Sequence, residues 1–191
     1  MIRQKPLLFF LILLILLSLT VFFTGNNEIF LFFNQKLANP TLDFIVLKIL
    51  MPLFTLLIII PTLMIFSQKY RSLAIISLIS GPLSYLIGNL IKLLFQFPRP
   101  YDVLPARVIG PWHLGQFSFP SSTTMLAFGL ALPIFLAKPK SGSLLLLLAF
   151  LVGFSVIYTG FHFPRDVLAG IFLSLLISVF LEKIWQKFFK T

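Results

Sequence analysis

Residues 143–185 read SLLLLLAFLVGFSVIYTGFHFPRDVLAGIFLSLLISVFLEKIW, and this stretch decides the fold class. It holds two apolar runs, at about 143–161 and 167–185, and the polar sequence TGFHFPRDVLAG at 159–170 spans their junction. Each run approaches the roughly 20 residues that an α-helix needs to cross a bilayer. Because lipid offers the backbone no hydrogen-bond partners, such runs must satisfy their own as helices. The stretch therefore predicts a transmembrane helical hairpin.

The rest of the chain repeats this pattern. Of its 191 residues, 59% are hydrophobic and 10% are charged, whereas roughly a quarter of the residues of a soluble domain are charged. Four further apolar runs lie at about 7–24, 44–67, 72–96 and 121–137. We therefore predict an all-α integral membrane protein with six transmembrane helices in one bundle. No linker or repeat divides the chain, so residues 1–191 are predicted to form a single domain.

The run at 7–24 has an alternative interpretation as a secretory signal peptide. It is long for the apolar part of such a peptide, and TVFFTGNNEIF at 20–30 offers no small-x-small cleavage site. We therefore predict an uncleaved first helix. The chain contains no cysteine, which excludes a disulfide framework and a thiolate metal site.

The net charge of +10 does not indicate nucleic-acid binding, because the basic residues lie in short loops between the spans. With six spans, most of them fall on one side, which the positive-inside rule assigns to the cytoplasm. The sequence thus predicts an inner, cytoplasmic-membrane protein with both termini inside. The inner-side residues are Arg3, Lys5, Lys69, Arg71, Lys138, Lys140, Lys183, Lys187 and Lys190.

Two segments are predicted on the outer side. Residues 25–40 are too short and mixed to span, and their pattern predicts a short amphipathic helix on the outer surface. Residues 98–120 contain five prolines and two glycines, which predicts a long irregular outer loop. Loops of this length are usually functional or disordered, and the presence of Trp112 and His113 favours a functional loop.

The outer ends of three spans carry ionisable or hydroxyl side chains. Lys92 and Arg99 lie nearly two helical turns apart; alternatively, they merely contact the membrane interface. Ser121 and Ser122 begin the fourth span, where free helix amides bind anions or the serines simply cap the helix. His162 and Asp166 share a face if the sixth helix has begun by residue 162; alternatively, Asp166 only caps that helix.

The combination points to phosphoryl chemistry at the outer face. A charged side chain costs about 2.5–3.5 kcal/mol at the bilayer centre, so such residues tend to be functional. A carboxylate can orient one imidazole nitrogen and leave the other free as a nucleophile. Two cations and free helix amides can hold phosphate oxygens and stabilise developing charge. These groups together predict phosphoryl transfer to a histidine, with no metal or cofactor required.

Three segments resemble the signatures of the type 2 phosphatidic acid phosphatase family, which is related to the vanadium haloperoxidases and includes bacterial lipid phosphatases. Those signatures are Lys, six residues, Arg-Pro; then Pro-Ser-Gly-His; then Ser-Arg, five residues, His, three residues, Asp. The first is complete in KLLFQFPRP at 92–100, and the others are partial in PSST at 120–123 and SVIYTGFHFPRD at 155–166. The resemblance covers about residues 40–185. It implies His162 as nucleophile, Asp166 as its orienting partner, and Lys92, Arg99 and Ser121 as phosphate ligands.

The chain departs from that pattern at two positions. Thr123 stands where the family has a histidine that protonates the leaving oxygen, and Val156 stands where it has a second phosphate-binding arginine. Loss of a general acid typically costs 10²–10⁴-fold in rate. His113 and Arg165 are candidate replacements; the alternatives are a loop histidine at the interface and an arginine that contacts lipid headgroups. Diphosphates, which expel phosphate rather than alkoxide, are therefore expected to be the better substrates.

The resemblance implies a membrane lipid phosphatase that acts on the outer side of the bilayer through a phosphohistidine. Prenyl diphosphates, phosphatidate-type lipids and lipid A-type lipids are all open as substrates. One alternative is a family member that binds or presents phosphorylated lipid without turnover. A transporter is a second alternative, but only Lys48 lies within a span, and it is interpreted as pairing with Asp43 at the interface.

Overall fold

Every regular element in the described part of the chain is helical, which confirms that the protein is all-α. The computed structural model describes residues 3–110 and 115–189. π-helical turns follow α2 at Phe32–Lys36 and α3 at Ile45–Leu50. The α-helices are α1 (Gln4–Thr24), α2 (Asn26–Leu31), α3 (Pro40–Phe44), α4 (Met51–Leu53), α5 (Leu56–Met64), α6 (Arg71–Phe95), α7 (Pro100–Val103), α8 (Ser122–Ala137), α9 (Pro139–Tyr158) and α10 (Pro164–Phe189).

Five helical segments in the described chain are long and apolar enough to cross a membrane. They correspond to the predicted first, second, third, fifth and sixth spans. The predicted fourth span is also an apolar helix, α8, but it has only 16 residues. The five long segments are Gln4–Thr24, Pro40–Met64, Arg71–Val103, Pro139–Tyr158 and Pro164–Phe188.

Helix α8 occupies the centre of the bundle. Only Thr123 and Leu126 among its residues are not buried, because α6, α9 and α10 pack around it. Small residues permit this close packing. A Cβ atom on Gly129 would lie 2.8 Å from the Cα of Gly81 on α6. The apolar helix that is shorter than the five long segments is thus the one that its neighbours enclose.

Aromatic side chains attach the first third of the chain to this centre. Phe10 of α1 is 1% exposed and its ring lies 6.3 Å from that of Phe128 on α8. Within residues 25–40, predicted as a short amphipathic helix, Asn26–Leu31 and Phe32–Lys36 are helical and bury Phe30 and Asn34. The ring of Phe30 packs 5.4 Å from that of Phe163, next to His162. The location of residues 25–40 on the outer membrane surface stays a prediction.

The two ends of the bundle differ in character. At one end, a cavity of about 380 Å³ is lined by Arg3, Lys69 and Lys138, together with Glu182. This places three of the predicted inner-side basic residues together. The opposite end carries the predicted loop of residues 98–120, which contains the short helix α7 and irregular chain on either side of residues 111–114. His113 and Trp112 lie outside the described residues.

Candidate active site

His162 lies in the tight turn between α9 and α10, not in a helix. The backbone N–H of His162 donates to the carbonyl of Val156, at 3.1 Å, and Gly160 turns the chain with a φ of 93°. Helix α10 begins only at Pro164, so the condition for a shared helical face with Asp166 is not met. The side chain of His162 is nonetheless held in the protein interior, with 1% exposure.

Asp166 reaches His162 from the first turn of α10. Its Oδ2 accepts the backbone N–H of Phe163 at 2.9 Å and lies 3.6 Å from Nδ1 of His162. The hydrogen bond from Phe163 is typical of a carboxylate in the first helical turn that caps the N-terminus of its own helix. Asp166 therefore caps α10 and also contacts the histidine, although the two residues do not share a helical face.

Ser118 completes this group, and sequence reasoning missed it. Its hydroxyl donates to Oδ2 of Asp166 at 2.5 Å and lies 3.4 Å from Nδ1 of His162. Ser118 is fully buried. The only signal in the sequence is its position two residues before Pro120, which does not by itself distinguish a site residue from a loop serine.

Lys92 and Arg99 enter the same region from α6 and the chain that follows it. Helix α6 ends at Phe95, and Gln96 adopts a left-handed conformation with a φ of 50°. The Nζ of Lys92 donates to the carbonyl of Ser118 at 2.7 Å. The Nη1 of Arg99 donates to the carbonyl of Phe161, next to His162, at 2.9 Å. The side chains are 8% and 2% exposed, so two cations lie buried beside the histidine turn.

The N-terminus of α8 forms another boundary of the site. The Oγ of Ser121 accepts the backbone N–H of Thr124 at 3.3 Å, so this serine does cap the helix. The N–H of Ser121 donates to the carbonyl of Asp166 at 3.0 Å. The N–H groups of Ser122 and Thr123 donate to no other described residue, as is usual in a first helical turn. They remain available to an anion.

Two glycines allow α8 to approach its neighbours at this end. A Cβ on Gly88 would lie 3.2 Å from the Cα of Ser122, and one on Gly170 would lie 2.9 Å from the carbonyl oxygen of Ser121. Gly88 lies one helical turn before Lys92 on α6. The close contact therefore sets the distance between the lysine and the free amides of α8.

The site holds His162 in its neutral form at neutral pH. Burial lowers the pKa of His162 to about 4, assisted by Lys92 and Arg99 and opposed by the contact with Asp166. Because Nδ1 faces the carboxylate, the proton of the neutral ring belongs on Nδ1. The lone pair of Nε2 is then free to act as a nucleophile.

Neither position that departs from the family pattern carries a charge in this structure. Thr123 and Val156 both line an apolar cavity next to the site. Arg165 is close to the site, but its Nε lies 3.7 Å from Oδ1 of Asp166, and its side chain is 48% exposed. Its guanidinium lies over the rings of Phe97 and Phe163. The compensating roles of Arg165 and of His113 stay predictions.

A second polar network, also missed in the sequence, holds Arg107 of the chain that follows α7. Arg107 donates to both carboxylate oxygens of Asp43, at 2.6 and 2.9 Å, and Tyr158 donates to the same carboxylate. Asn34 donates to the carbonyl of Arg107 at 2.8 Å. The predicted pairing of Asp43 with Lys48 is wrong, because folding brings Arg107 to Asp43 from a distant part of the chain.

The chain is similar to the proteins of one known family. A family model described as "PAP2 superfamily" matches residues 72–190, well over half of the chain. The chain belongs to the PAP2 superfamily. All of the candidate site residues lie within the matched range, so the predicted resemblance is confirmed.

Several curated proteins are similar to this PAP2 chain. It is 36% identical over 114 residues to "Bacitracin transport permease protein BcrC" of Bacillus licheniformis, an alignment that covers 60% of this chain and 56% of that protein. It is 32% identical over 100 residues to "Undecaprenyl-diphosphatase BcrC" of Bacillus subtilis, covering 52% of this chain and 51% of that protein. The chain thus spans about half the length of the curated relatives it matches.

Two crystal structures share the fold. LpxE of Aquifex aeolicus superposes with a TM-score of 0.61 at 27% identity, covering 83% of this chain and 94% of that one. A PAP2 type phosphatidylglycerolphosphate phosphatase of Bacillus subtilis superposes with a TM-score of 0.64 at 24% identity, covering 98% of this chain and 99% of that one. The second likeness extends the PAP2 fold over nearly the whole chain.

Proposed function

We propose that this protein is a membrane phosphatase that hydrolyses a lipid diphosphate or monophosphate through a phosphohistidine at His162. The observation that carries the proposal is the convergence of different parts of the chain on one buried histidine. The carboxylate of Asp166 and the hydroxyl of Ser118 lie beside Nδ1. Lys92 and Arg99 supply two buried cations, and α8 supplies free amides.

Each group has a definite role in the proposed reaction. Lys92, Arg99 and the first-turn amides of α8, with Ser121 and Ser122, hold the phosphate oxygens and stabilise the charge that develops on them. Nε2 of His162 forms a bond to phosphorus while the bond from phosphorus to the leaving oxygen breaks. Asp166 stabilises the imidazolium that results. Water then attacks the phosphohistidine, which releases inorganic phosphate and restores the histidine.

A prenyl diphosphate is the substrate class that the site favours. Thr123 cannot act as a general acid near neutral pH, so a leaving alkoxide would receive no proton from this position. A diphosphate instead expels a lipid monophosphate, whose second pKa is about 6. Two relatives named undecaprenyl-diphosphatases support this assignment. Phosphatidate-type and lipid A-type monophosphates are expected to react more slowly.

We further propose that the protein crosses the cytoplasmic membrane six times, with α8 as the fourth crossing. The site then lies at the outer end of the bundle, and both termini are cytoplasmic. The clustering of Arg3, Lys69 and Lys138 at the opposite end supports this orientation.

Phosphate release from purified protein in detergent tests the proposal. The panel comprises farnesyl diphosphate, undecaprenyl diphosphate, phosphatidic acid and phosphatidylglycerol phosphate. We expect phosphate to be released faster from the diphosphates than from the monophosphates. We expect the His162→Ala protein to release none. Release that persists in that variant would contradict the nucleophile assignment.

The replacement of two signature residues by Thr123 and Val156 favours one further candidate function, which is phosphorylated-lipid binding without turnover. The same assay separates the two candidates. A binding protein releases no phosphate from any member of the panel, yet retains radiolabelled farnesyl diphosphate in a filter-binding measurement. Weakening of that retention by Arg99→Ala would place the bound lipid at the same site.

A further inference from the structure

A cavity of about 430 Å³ begins beside the candidate active site and extends into the bundle between α4, α5, α6, α8 and α9. Thr123, Val156 and Phe161 line its end nearest the site. Thr123 follows Ser122, and Phe161 precedes His162. Seven residues along α8, Leu130 lines the same cavity, a separation of about 10 Å. The cavity therefore ends next to the residues proposed to bind phosphate.

The lining of this cavity is mainly apolar, and three of its five hydroxyl residues donate their hydroxyl to a backbone carbonyl. The hydroxyl of Thr55 donates to the carbonyl of Pro52 at 2.6 Å. In the same way, Ser155 donates to Leu151 at 2.7 Å and Thr159 donates to the carbonyl of Ser155 at 2.6 Å. No charged residue of the described chain lines the cavity. A cavity whose lining is mainly apolar accepts apolar ligands.

The cavity also reaches the lipid-facing side of the bundle. Ile58 of α5 and Tyr85 of α6 both line it, and they are 50% and 44% exposed. An apolar chain that starts at the phosphate site can thus pass between these two helices into the surrounding bilayer. A phosphorylated lipid has this geometry, with a charged head and a long apolar tail.

We propose that the cavity binds the part of the substrate's prenyl tail that adjoins the diphosphate, and that Thr123 and Val156 admit it. This inference rests on the proposed function. The family pattern would place a histidine and an arginine at these two positions, and a charged group in contact with hydrocarbon is costly. The two replacements thus remove polar groups and, in the same step, extend an apolar surface up to the phosphate site. They determine substrate selectivity by contact with the tail.

A pair of adjacent isoleucines provides a matched kinetic test. Ile58 lines the cavity, whereas Ile59, with a similar exposure of 46%, does not. We expect Ile58→Trp to raise KM for farnesyl diphosphate about tenfold, the effect of losing contacts equivalent to about two methylene groups. KM for dimethylallyl diphosphate, whose short tail ends near Thr123, is expected to stay unchanged. Ile59→Trp is expected to change neither value. Equal effects of the two variants, or of Ile58→Trp on the two substrates, would overturn the proposal.

Photolabelling tests occupancy without turnover. The full-length His162→Ala protein, reconstituted in nanodiscs, is irradiated with farnesyl diphosphate that carries a diazirine at the end of its tail. We expect label in the peptides of α5 and α8, and we expect excess unlabelled farnesyl diphosphate to prevent it while phosphatidylcholine does not. Label confined to α1, or label displaced by phosphatidylcholine, would overturn the proposal.

The two tests also separate this inference from the proposed function. If the cavity is labelled specifically but the unmodified protein releases no phosphate, the proposed phosphatase activity is contradicted and the tail site is not. If phosphate release depends on His162 but the label lies outside the cavity, the tail site is contradicted and the phosphatase activity is not.

Discussion

One carboxylate oxygen, Oδ2 of Asp166, accepts the N–H of Phe163 and the hydroxyl of Ser118 and faces the imidazole of His162. The same oxygen therefore starts a helix and orients the proposed nucleophile. The pairing of His162 with Asp166 could be predicted because four residues separate them. The role of Ser118 could not, because its partners lie 44 and 48 residues away and only the packed fold brings them together.

Replacement of Ser118 tests this arrangement. Ser118→Ala removes a hydrogen bond to a buried carboxylate, and bonds to charged groups contribute about 1.5–3 kcal/mol. We expect kcat for a prenyl diphosphate to fall roughly 10–100-fold, because the carboxylate and the imidazole lose their common partner. The control is Ser143→Ala, since that exposed serine bonds only to the carbonyl of Lys140. Equal rates for the two variants would contradict the role of Ser118.

Restoration of a histidine at position 123 tests the explanation of substrate preference. Thr123 lines a cavity next to the site, so a larger side chain has space there. We expect Thr123→His to raise kcat for a phosphatidate-type monophosphate by about 10²-fold or more, which is the usual contribution of a general acid. For a prenyl diphosphate, kcat is expected to change little because its leaving group needs no proton, whereas KM is expected to rise because the larger polar side chain enters the cavity proposed to hold the tail. Thr123→Asn controls for size and polarity, and an equal gain in that variant would rule out proton donation.

Among the helices, α8 shows how packing limits what a sequence can predict. Its apolar run predicts a span, and the structure confirms a helix there, but the run cannot reveal that nearly every residue is buried by neighbouring helices. The residues that permit this packing are glycines such as Gly88 and Gly129, and glycine has no hydropathy signal of its own. The distance between α6 and α8, which sets the geometry of the site, was therefore not predictable.

Gly88→Ala tests whether this contact positions the site. The added Cβ would lie 3.2 Å from the Cα of Ser122 and 2.6 Å from the Sδ of Met125, so α8 must shift away from Lys92. Displacements approaching 1 Å can cost 10²-fold in rate, and we expect kcat/KM to fall roughly 10–100-fold. Gly153→Ala is the control, because its Cβ meets only the Cγ1 of Val167, at 3.0 Å. Similar activity of both variants would contradict the positioning role.

Contacts between distant segments explain the one incorrect pairing. Asp43 and Lys48 are neighbours in the sequence, and proximity suggested an ion pair. Folding instead brings Arg107 to Asp43 across 64 residues, with two hydrogen bonds to the carboxylate. These two hydrogen bonds join the second apolar segment to the chain that follows α7. A pattern read along the chain cannot choose between partners that only the tertiary structure supplies.

For the molecule as a whole, the division into two ends was predictable from charge alone. The positive-inside rule placed Arg3, Lys69 and Lys138 on one side, and the structure groups them around one cavity. The predicted site residues Lys92, Arg99, Ser121, His162 and Asp166 meet at the other end. Hydropathy and charge locate these groups along the membrane normal, whereas lateral packing determines which of them touch.

Cysteine labelling tests the orientation in intact cells. The chain has no cysteine, so single substitutions can be labelled without a background signal. Val103, near the site, is 56% exposed, and Ser141 lies at the junction of α8 and α9. We expect a membrane-impermeant maleimide to label Val103→Cys in intact cells, and to label Ser141→Cys only after permeabilisation. The reverse pattern would contradict the proposed topology.

The central claim is that His162 accepts the phosphoryl group, and trapping of that group tests it most directly. The protein is mixed with farnesyl diphosphate that carries ³²P in its terminal phosphate, quenched in alkali within a single turnover, and digested for mass spectrometry. A phosphohistidine survives alkali and is labile to acid. The account predicts label on the peptide that contains His162, and none in the His162→Ala protein. Phosphate release without a labelled peptide, or label on another residue, would contradict it.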